Sequence, residues 1–162
     1  MSSPWLESVT PIAPPASANP SVRQLVYAGV VTGAWAAVIS LVLYVIGRLL
    51  GTDFSLVWWG GAVQQPIPWI FFVLLPLVSA VLFALAASLA RGLLHARAIA
   101  YWVGTALAVA SLYPAINQPA SVGWGTRALL VLMHLVTWFL VVPQVARIVG
   151  DSAPGQHEER NA

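Results

Sequence analysis

Residues 67–90 read IPWIFFVLLPLVSAVLFALAASLA, a stretch without a single Asp, Glu, Lys or Arg. As an α-helix it would rise about 36 Å, which is enough to cross the ~30 Å hydrocarbon core of a bilayer. Three further stretches of roughly 19 to 23 residues share this character, and they are 25–47, 98–116 and 128–146. The sequence therefore predicts an all-α fold, an integral membrane four-helix bundle whose membrane domain covers residues 25–147.

The composition agrees with a membrane protein. Of the 162 residues, 59% are hydrophobic and 7% are charged, whereas a soluble domain carries about 25% charged residues. Cysteine is absent, which excludes disulfides, iron–sulfur clusters and thiolate zinc sites. The net charge of +2 comes without a run of basic residues, so we expect the lipid bilayer as a partner and no nucleic acid.

The arginines predict an orientation for the bundle. Residues 1–24 are predicted to be a disordered Pro-rich tail and residues 148–162 a second polar tail. Most arginines fall on one side of the four spans, namely Arg23, Arg91, Arg97, Arg147 and Arg160, while Arg48 and Arg127 fall on the other. By the positive-inside rule both termini are cytoplasmic, in the plasma membrane, and the loops at 48–66 and 117–127 face outward.

Small residues recur every four positions on three of the predicted helices. Such spacing lets two helix backbones approach closely in a membrane. The predicted packing residues are Gly29, Gly33 and Ala37 on the first helix, Ala80 and Ala84 on the second, and Gly104 and Ala108 on the third. We expect these residues to pack helices of the same chain against one another. The alternative is that they form the interface of a homo-oligomer.

His134 is the ionisable side chain that lies well inside a predicted span, and such groups are functional candidates by default. Arg127 lies two helical turns earlier on the same face. Polar side chains of other helices gather at similar depth, which predicts a small outward-facing polar pocket. Its candidate ligand-binding residues are His134, Arg127, Ser111, Gln118, Ser40 and Tyr44. The alternative is a structural histidine that is hydrogen-bonded within the bundle.

The sequence predicts no metal site, no cofactor and no catalytic residues. His95 belongs at the cytoplasmic face and His157 in the tail, so neither can join His134 in binding a metal or haem. The loop at 48–66 contains Trp58 and Trp59, which fit the aromatic belt of a membrane interface, and the Gly60–Gly61 pair that follows permits a sharp turn. We expect this loop to lie on the membrane surface, with a lid over the pocket as the alternative.

One segment carries a family resemblance. The motif Ser111-Leu-Tyr-Pro114, followed by RALLVLMHLV at 127–136 and then Pro143, resembles the carboxy-terminal half of a family of uncharacterised actinobacterial four-span membrane proteins, domain of unknown function 6069. The resemblance covers the last third of the chain well and the first two helices by hydropathy. It implies a fold and a membrane location, and no activity.

Three classes of function remain open. The first is a non-enzymatic membrane protein that binds a protein partner or a lipid-like molecule in the outer leaflet. The second is a small transporter or transporter subunit, which would need a polar path through the apolar inner halves of the helices. The third is a membrane enzyme that acts on a lipid or quinone, with His134 as base and Arg127 holding an anionic group. That enzyme would lack a second catalytic group.

Overall fold

The computed structural model describes residues 20–58 and 63–150, and within them the chain is an all-α bundle of four long helices. These are α1 (Val22–Leu49), α2 (Phe71–Ser88), α3 (Ala96–Ile116) and α4 (Trp124–Val149). Each of the four is long and apolar enough to cross a membrane. The protein is therefore a multi-pass membrane protein, as its hydropathy predicts.

The helices differ from the predicted spans mainly at their ends. α1 begins inside the predicted tail, because Ser21 and Gln24 form a capping box in which each side chain accepts the other's backbone N–H, at 3.2 and 2.8 Å. α2 begins at Phe71 and not at residue 67; the Ile67 N–H instead donates to the Phe54 carbonyl oxygen at 2.8 Å, where the chain leaves the strand Gln64–Pro66. The tails at 1–19 and 151–162 lie outside the described residues.

The four helices do not contact one another equally. The extended contacts are α1 with α2, α1 with α4, and α3 with α4, and α2 touches α4 more lightly. α2 and α3 are consecutive in the chain but make far fewer contacts than these pairs. A gap therefore separates α2 from α3 along part of their length.

At the end of the bundle where α1 begins and α4 ends, here the terminal end, the core consists mostly of small residues. A Cβ atom added to Gly29 would lie 2.8 Å from the Ala84 Cβ, and one added to Gly33 would lie 2.8 Å from the Ala80 Cβ. Glycine is needed at both positions because any side chain would push the two backbones apart. Ala37, one turn further along α1, is also buried.

The opposite end, here the hairpin end, carries two short strands that the hydropathy pattern does not predict. Strands β1 (Ser55–Val57) and β2 (Gln64–Pro66) pair antiparallel, with Leu56 opposite Gln65. The predicted Gly60–Gly61 turn lies outside the described residues. The loop at 48–66 is therefore an ordered hairpin in its described parts.

Phe54 anchors this hairpin to the bundle. Its backbone has φ +48°, a left-handed conformation that is uncommon for residues other than glycine. Its side chain is buried, and its ring lies 5.0 Å from the Tyr44 ring and 5.2 Å from the Phe72 ring, centroid to centroid. Aromatic packing between α1 and α2 thus holds the start of the hairpin in place.

Candidate functional site

A cavity of about 460 Å³ occupies the gap between α2 and α3. α2 and α3 form its walls, α4 and Ser40 of α1 form its floor, and Leu56 and Trp58 of the hairpin bound one end. The exposed Leu75 and Leu107, from opposite walls, mark its open side. We call this half-open cavity the α2–α3 cleft.

The cleft closes toward the terminal end where α2 and α3 meet. A Cβ atom added to Gly104 of α3 would lie 2.6 Å from the Phe83 Cζ and 2.8 Å from the Val142 Cγ1. Along α4 the lining runs from Leu130 to Val142, a rise of about 18 Å. This length is close to the ~15 Å hydrocarbon depth of one bilayer leaflet.

The walls of the cleft are almost entirely apolar. They include aromatic and aliphatic side chains from every helix that borders the gap: Phe71, Phe72, Leu75, Phe83, Leu107, Ala108, Ala115, Leu130, Met133 and Val141. The cleft thus differs from the small polar pocket predicted from the sequence, because apolar surface dominates and the polar groups are few.

His134 of α4 lines the floor of the cleft. Its Nδ1 is 2.7 Å from the Leu130 carbonyl oxygen. A carbonyl oxygen can only accept, so Nδ1 carries the hydrogen in this contact. In the part of the chain that the structure describes, this is the hydrogen bond that the ring makes.

Ser40 is the second polar group of the floor, and its hydroxyl has no partner. The residue is 1% exposed, and among residues 20–58 and 63–150 its Oγ is the buried side-chain oxygen or nitrogen without a hydrogen bond. Hydroxyls in helices normally donate to a carbonyl three or four residues earlier. Those that do so here are Thr32, Ser79, Ser88, Thr105, Ser111 and Thr137.

Ser111 lines the cleft from α3, close to its open side. Its Oγ donates to the Ala108 carbonyl oxygen at 2.7 Å, and the residue is exposed. Three of the six candidate ligand-binding residues, Ser40, Ser111 and His134, therefore border one cavity.

The other three candidates make contacts away from the cleft lining. The Arg127 guanidinium donates to the carbonyl oxygens of Val122 and Pro119 in the α3–α4 connection. Gln118 accepts the Val57 N–H at 2.9 Å, which ties β1 to α3. The Tyr44 ring stacks on Phe72 with 4.7 Å between centroids. A ligand-binding role for these three stays a prediction.

The structure adds residues that were not predicted as site residues. Trp138 lines the cleft, and its Nε1 donates to the Thr105 Oγ1 at 3.1 Å, which joins α4 to α3. Trp138 lies one turn after His134, so helical spacing was an available signal. Phe71, Leu75 and Ser79 of α2 had no such signal, because α2 is apolar on all sides.

The chemistry available in the cleft is apolar contact and neutral hydrogen bonding. Within the described ranges, no cluster of three or more His, Cys, Asp or Glu side chains could hold a metal ion. Asp53 is the acidic residue of those ranges, and it lies beyond the end of α1, in the loop. Within these ranges, His134 therefore has no carboxylate partner inside the spanning helices.

Comparison with known proteins identifies the family. Neither a curated protein nor a solved structure matches the chain. The sequence profile described as "Family of unknown function (DUF6069)" matches residues 20–151, which include all four helices and not only the segment around Ser111 and His134. The chain, a four-helix membrane bundle with a cleft between α2 and α3, is a member of the DUF6069 family.

Proposed function

We propose that this protein binds a lipid-like molecule in the α2–α3 cleft and does not change it chemically. The observation that carries the proposal is the half-open, largely apolar α2–α3 cleft between two membrane-spanning helices. Concave, mostly apolar sites with a few polar groups are typical binding sites for small molecules.

The size and lining of the cleft support this class of ligand. Its volume of about 460 Å³ falls within the ~300–1,000 Å³ typical of small-molecule pockets. Its apolar walls favour an alkyl or isoprenoid chain, and its length matches the depth of one leaflet. His134 of α4 adds a polar side chain to the lining.

The open side supports entry from the membrane. Leu75 is 60% exposed and Leu107 is 58% exposed, and in a membrane-spanning bundle such surfaces contact lipid. A lipid-like ligand would slide between α2 and α3 from the bilayer without crossing water.

The arginines support a location in the outer leaflet. Arg23, Arg91, Arg97 and Arg147 lie at the terminal end, whereas Arg48 and Arg127 lie at the hairpin end. On the positive-inside rule the terminal end is cytoplasmic, with both chain termini inside the cell. The α2–α3 cleft would then open into the outer leaflet of the plasma membrane.

Two matched variants on α3 test the proposal. Ala108 lines the cleft, whereas Ala110 is exposed and lies on another face of α3, so Ala108→Phe would fill the cleft and Ala110→Phe would not. The protein is extracted gently from its own membranes, and bound molecules are weighed by native mass spectrometry. We expect a bound lipid-like mass in the wild type and in Ala110→Phe, reduced about tenfold or more in Ala108→Phe, because a phenyl ring displaces the chain.

Equal bound masses in all three proteins would mean unspecific boundary lipid and would contradict the proposal. An empty wild-type protein would contradict it as well. A co-purifying protein that is retained in both variants would instead favour a partner-binding function.

A further inference from the structure

A positively charged surface at the terminal end of the bundle indicates a second ligand, which does not depend on the α2–α3 cleft. We infer that this end binds anionic phospholipids through their phosphate groups. The arginines that carry the inference, here the terminal arginines, are Arg23, Arg91, Arg97 and Arg147. The lipids in question are those whose headgroup carries a net negative charge, such as phosphatidylglycerol.

The core of the bundle brings the terminal arginines to one place. Each of them lies within two positions of a member of the buried cluster at the terminal end, namely Leu25, Ala90, Ala96 or Ile148. Because these four residues belong to one packed cluster, the arginines lie around the same end of the bundle. Arg91 adds a direct link, since its guanidinium donates to the Ser88 carbonyl oxygen at 2.9 Å and to the Pro20 carbonyl oxygen at 3.2 Å.

Arg23 and Arg147 lie at the depth of the lipid headgroups. With 28 residues in α1 and 26 in α4, the two helices are roughly 42 and 39 Å long. Both exceed the ~30 Å hydrocarbon core of a bilayer. Arg23 is the second residue of α1 and Arg147 is the third from the end of α4. Each side chain therefore lies beyond the core, next to the phosphates, whichever way the protein is inserted.

The charges of Arg23 and Arg147 lack a counter-ion in the described part of the chain. Both residues are exposed, and among residues 20–58 and 63–150 neither makes a hydrogen bond or an ion pair. Asp53, the acidic residue of those ranges, lies at the hairpin end. A guanidinium matches a phosphate in geometry and can donate two parallel hydrogen bonds to it. A lipid phosphate is therefore a suitable counter-ion.

The arginines of the hairpin end are in a different situation. Arg48 donates to the Asp53 carbonyl oxygen at 3.3 Å, and the Arg127 guanidinium donates to carbonyl oxygens of the α3–α4 connection. Of the described residues, the hairpin end has two arginines and one acid, whereas the terminal end has four arginines and no acid. The terminal end is thus the stronger attractor of anionic lipid.

The test compares two lipids that differ in headgroup charge. The full-length protein is stripped of lipid in detergent, and phosphatidylglycerol or phosphatidylcholine with the same acyl chains is added in increasing amounts. Native mass spectrometry counts the bound lipids. We expect the protein to bind phosphatidylglycerol about twentyfold more tightly, because each of the two unpartnered arginines contributes about fivefold.

Two double variants with the same loss of charge locate the preference. Arg23→Gln with Arg147→Gln should lose most of the preference for phosphatidylglycerol. Arg48→Gln with Arg127→Gln lowers the net charge equally, but at the hairpin end, so it should keep the preference. Circular dichroism checks that both double variants are folded. If the first one is not, the single variants Arg23→Gln and Arg147→Gln should each lose about fivefold in the ratio of the two affinities.

Two outcomes would overturn the inference. The first is equal binding of the two lipids, as expected if carboxylates of the tail at 151–162, such as Asp151 and Glu158, already neutralise the arginines. The second is an equal loss of preference in both double variants, which would mean that net charge alone attracts the lipid. Ala108→Phe, which fills the cleft, should keep the preference for phosphatidylglycerol, so this inference and the proposed function fail independently.

Discussion

The two sides of α2 pack in opposite ways. On one side, Ala80 and Ala84 lie against Gly33 and Gly29 of α1 so closely that an added Cβ would meet them at 2.8 Å. On the other side, toward α3, a cavity of about 460 Å³ separates the two helices. Both sides are apolar, so hydrophobicity does not distinguish them.

Side-chain size explains the difference. Small residues on α1 and α2 let the backbones touch, and in a membrane such close van der Waals contact is what holds helices together. Toward the hairpin end, α2 carries larger side chains, and Phe71, Phe72 and Leu75 line the cleft. The comparison shows that one apolar helix can pack closely against a neighbour on one side and border an open cleft on the other.

The largest loss of stability is expected from a variant that disrupts the close contact between α1 and α2. Gly33→Leu should lower the free energy of unfolding by about 3 kcal/mol, because the new side chain meets the Ala80 Cβ and the backbone of Leu77. The measurement is SDS-induced unfolding in mixed micelles, followed by circular dichroism. Ala34→Leu on the exposed face of α1 is the control, and both it and His134→Ala should cost less. Comparable unfolding curves for Gly33→Leu and His134→Ala would refute the packing argument.

A second pair of variants compares the two sides of α2 directly. Gly33→Ala and Gly104→Ala gain the same helix propensity, about 1 kcal/mol. At Gly33 the added methyl meets backbone and Cβ atoms, whereas at Gly104 it meets the far ends of the Phe83 and Val142 side chains. We expect Gly33→Ala to lower the free energy of unfolding by about 1 kcal/mol and Gly104→Ala to leave it nearly unchanged, because the Phe83 ring can turn toward the cleft. The same unfolding assay measures both variants. An equal loss of unfolding free energy in the two would mean that the Phe83 ring cannot move into the cleft.

A third variant, Ser40→Ala, should stabilise the protein instead of destabilising it. In ligand-free protein it removes an unpartnered hydroxyl, so the free energy of unfolding should rise by about 1 kcal/mol. Ser111→Ala removes a hydroxyl that is already bonded and should give no gain. Both are measured after lipid has been exchanged for detergent. A loss of stability in Ser40→Ala would show that its Oγ has a protein partner in the membrane.

The smallest expected effect concerns the polar contact that joins α3 to α4 beside the cleft. Trp138 Nε1 donates to Thr105 Oγ1 at 3.1 Å. A double-mutant cycle of Trp138→Phe and Thr105→Val should give a coupling energy of about 0.6 kcal/mol, the average for such bonds between membrane helices. A coupling energy of zero would mean that packing alone holds α3 against α4.

Of the six candidate ligand-binding residues, Ser40, Ser111 and His134 lie within helices and border one cleft. Tyr44 also lies within a helix, but its ring packs on Phe72. Arg127 and Gln118 lie next to a connection whose carbonyl and amide groups need partners, and their side chains bond there. Helical spacing cannot predict these hydrogen bonds, because they depend on how the chain turns between the helices.

By itself, the sequence determined a membrane bundle of four helices, because uncharged stretches of bilayer length must satisfy their backbone hydrogen bonds internally. It also carried the glycine and alanine spacing that the α1–α2 contact uses. Only the tertiary structure decided the hairpin, which depends on the distant contacts of Phe54 and Gln118. The cleft likewise depends on tertiary packing. Because α2 is apolar on every face, no pattern in its sequence predicts which face contacts α1 and which face stays apart from α3.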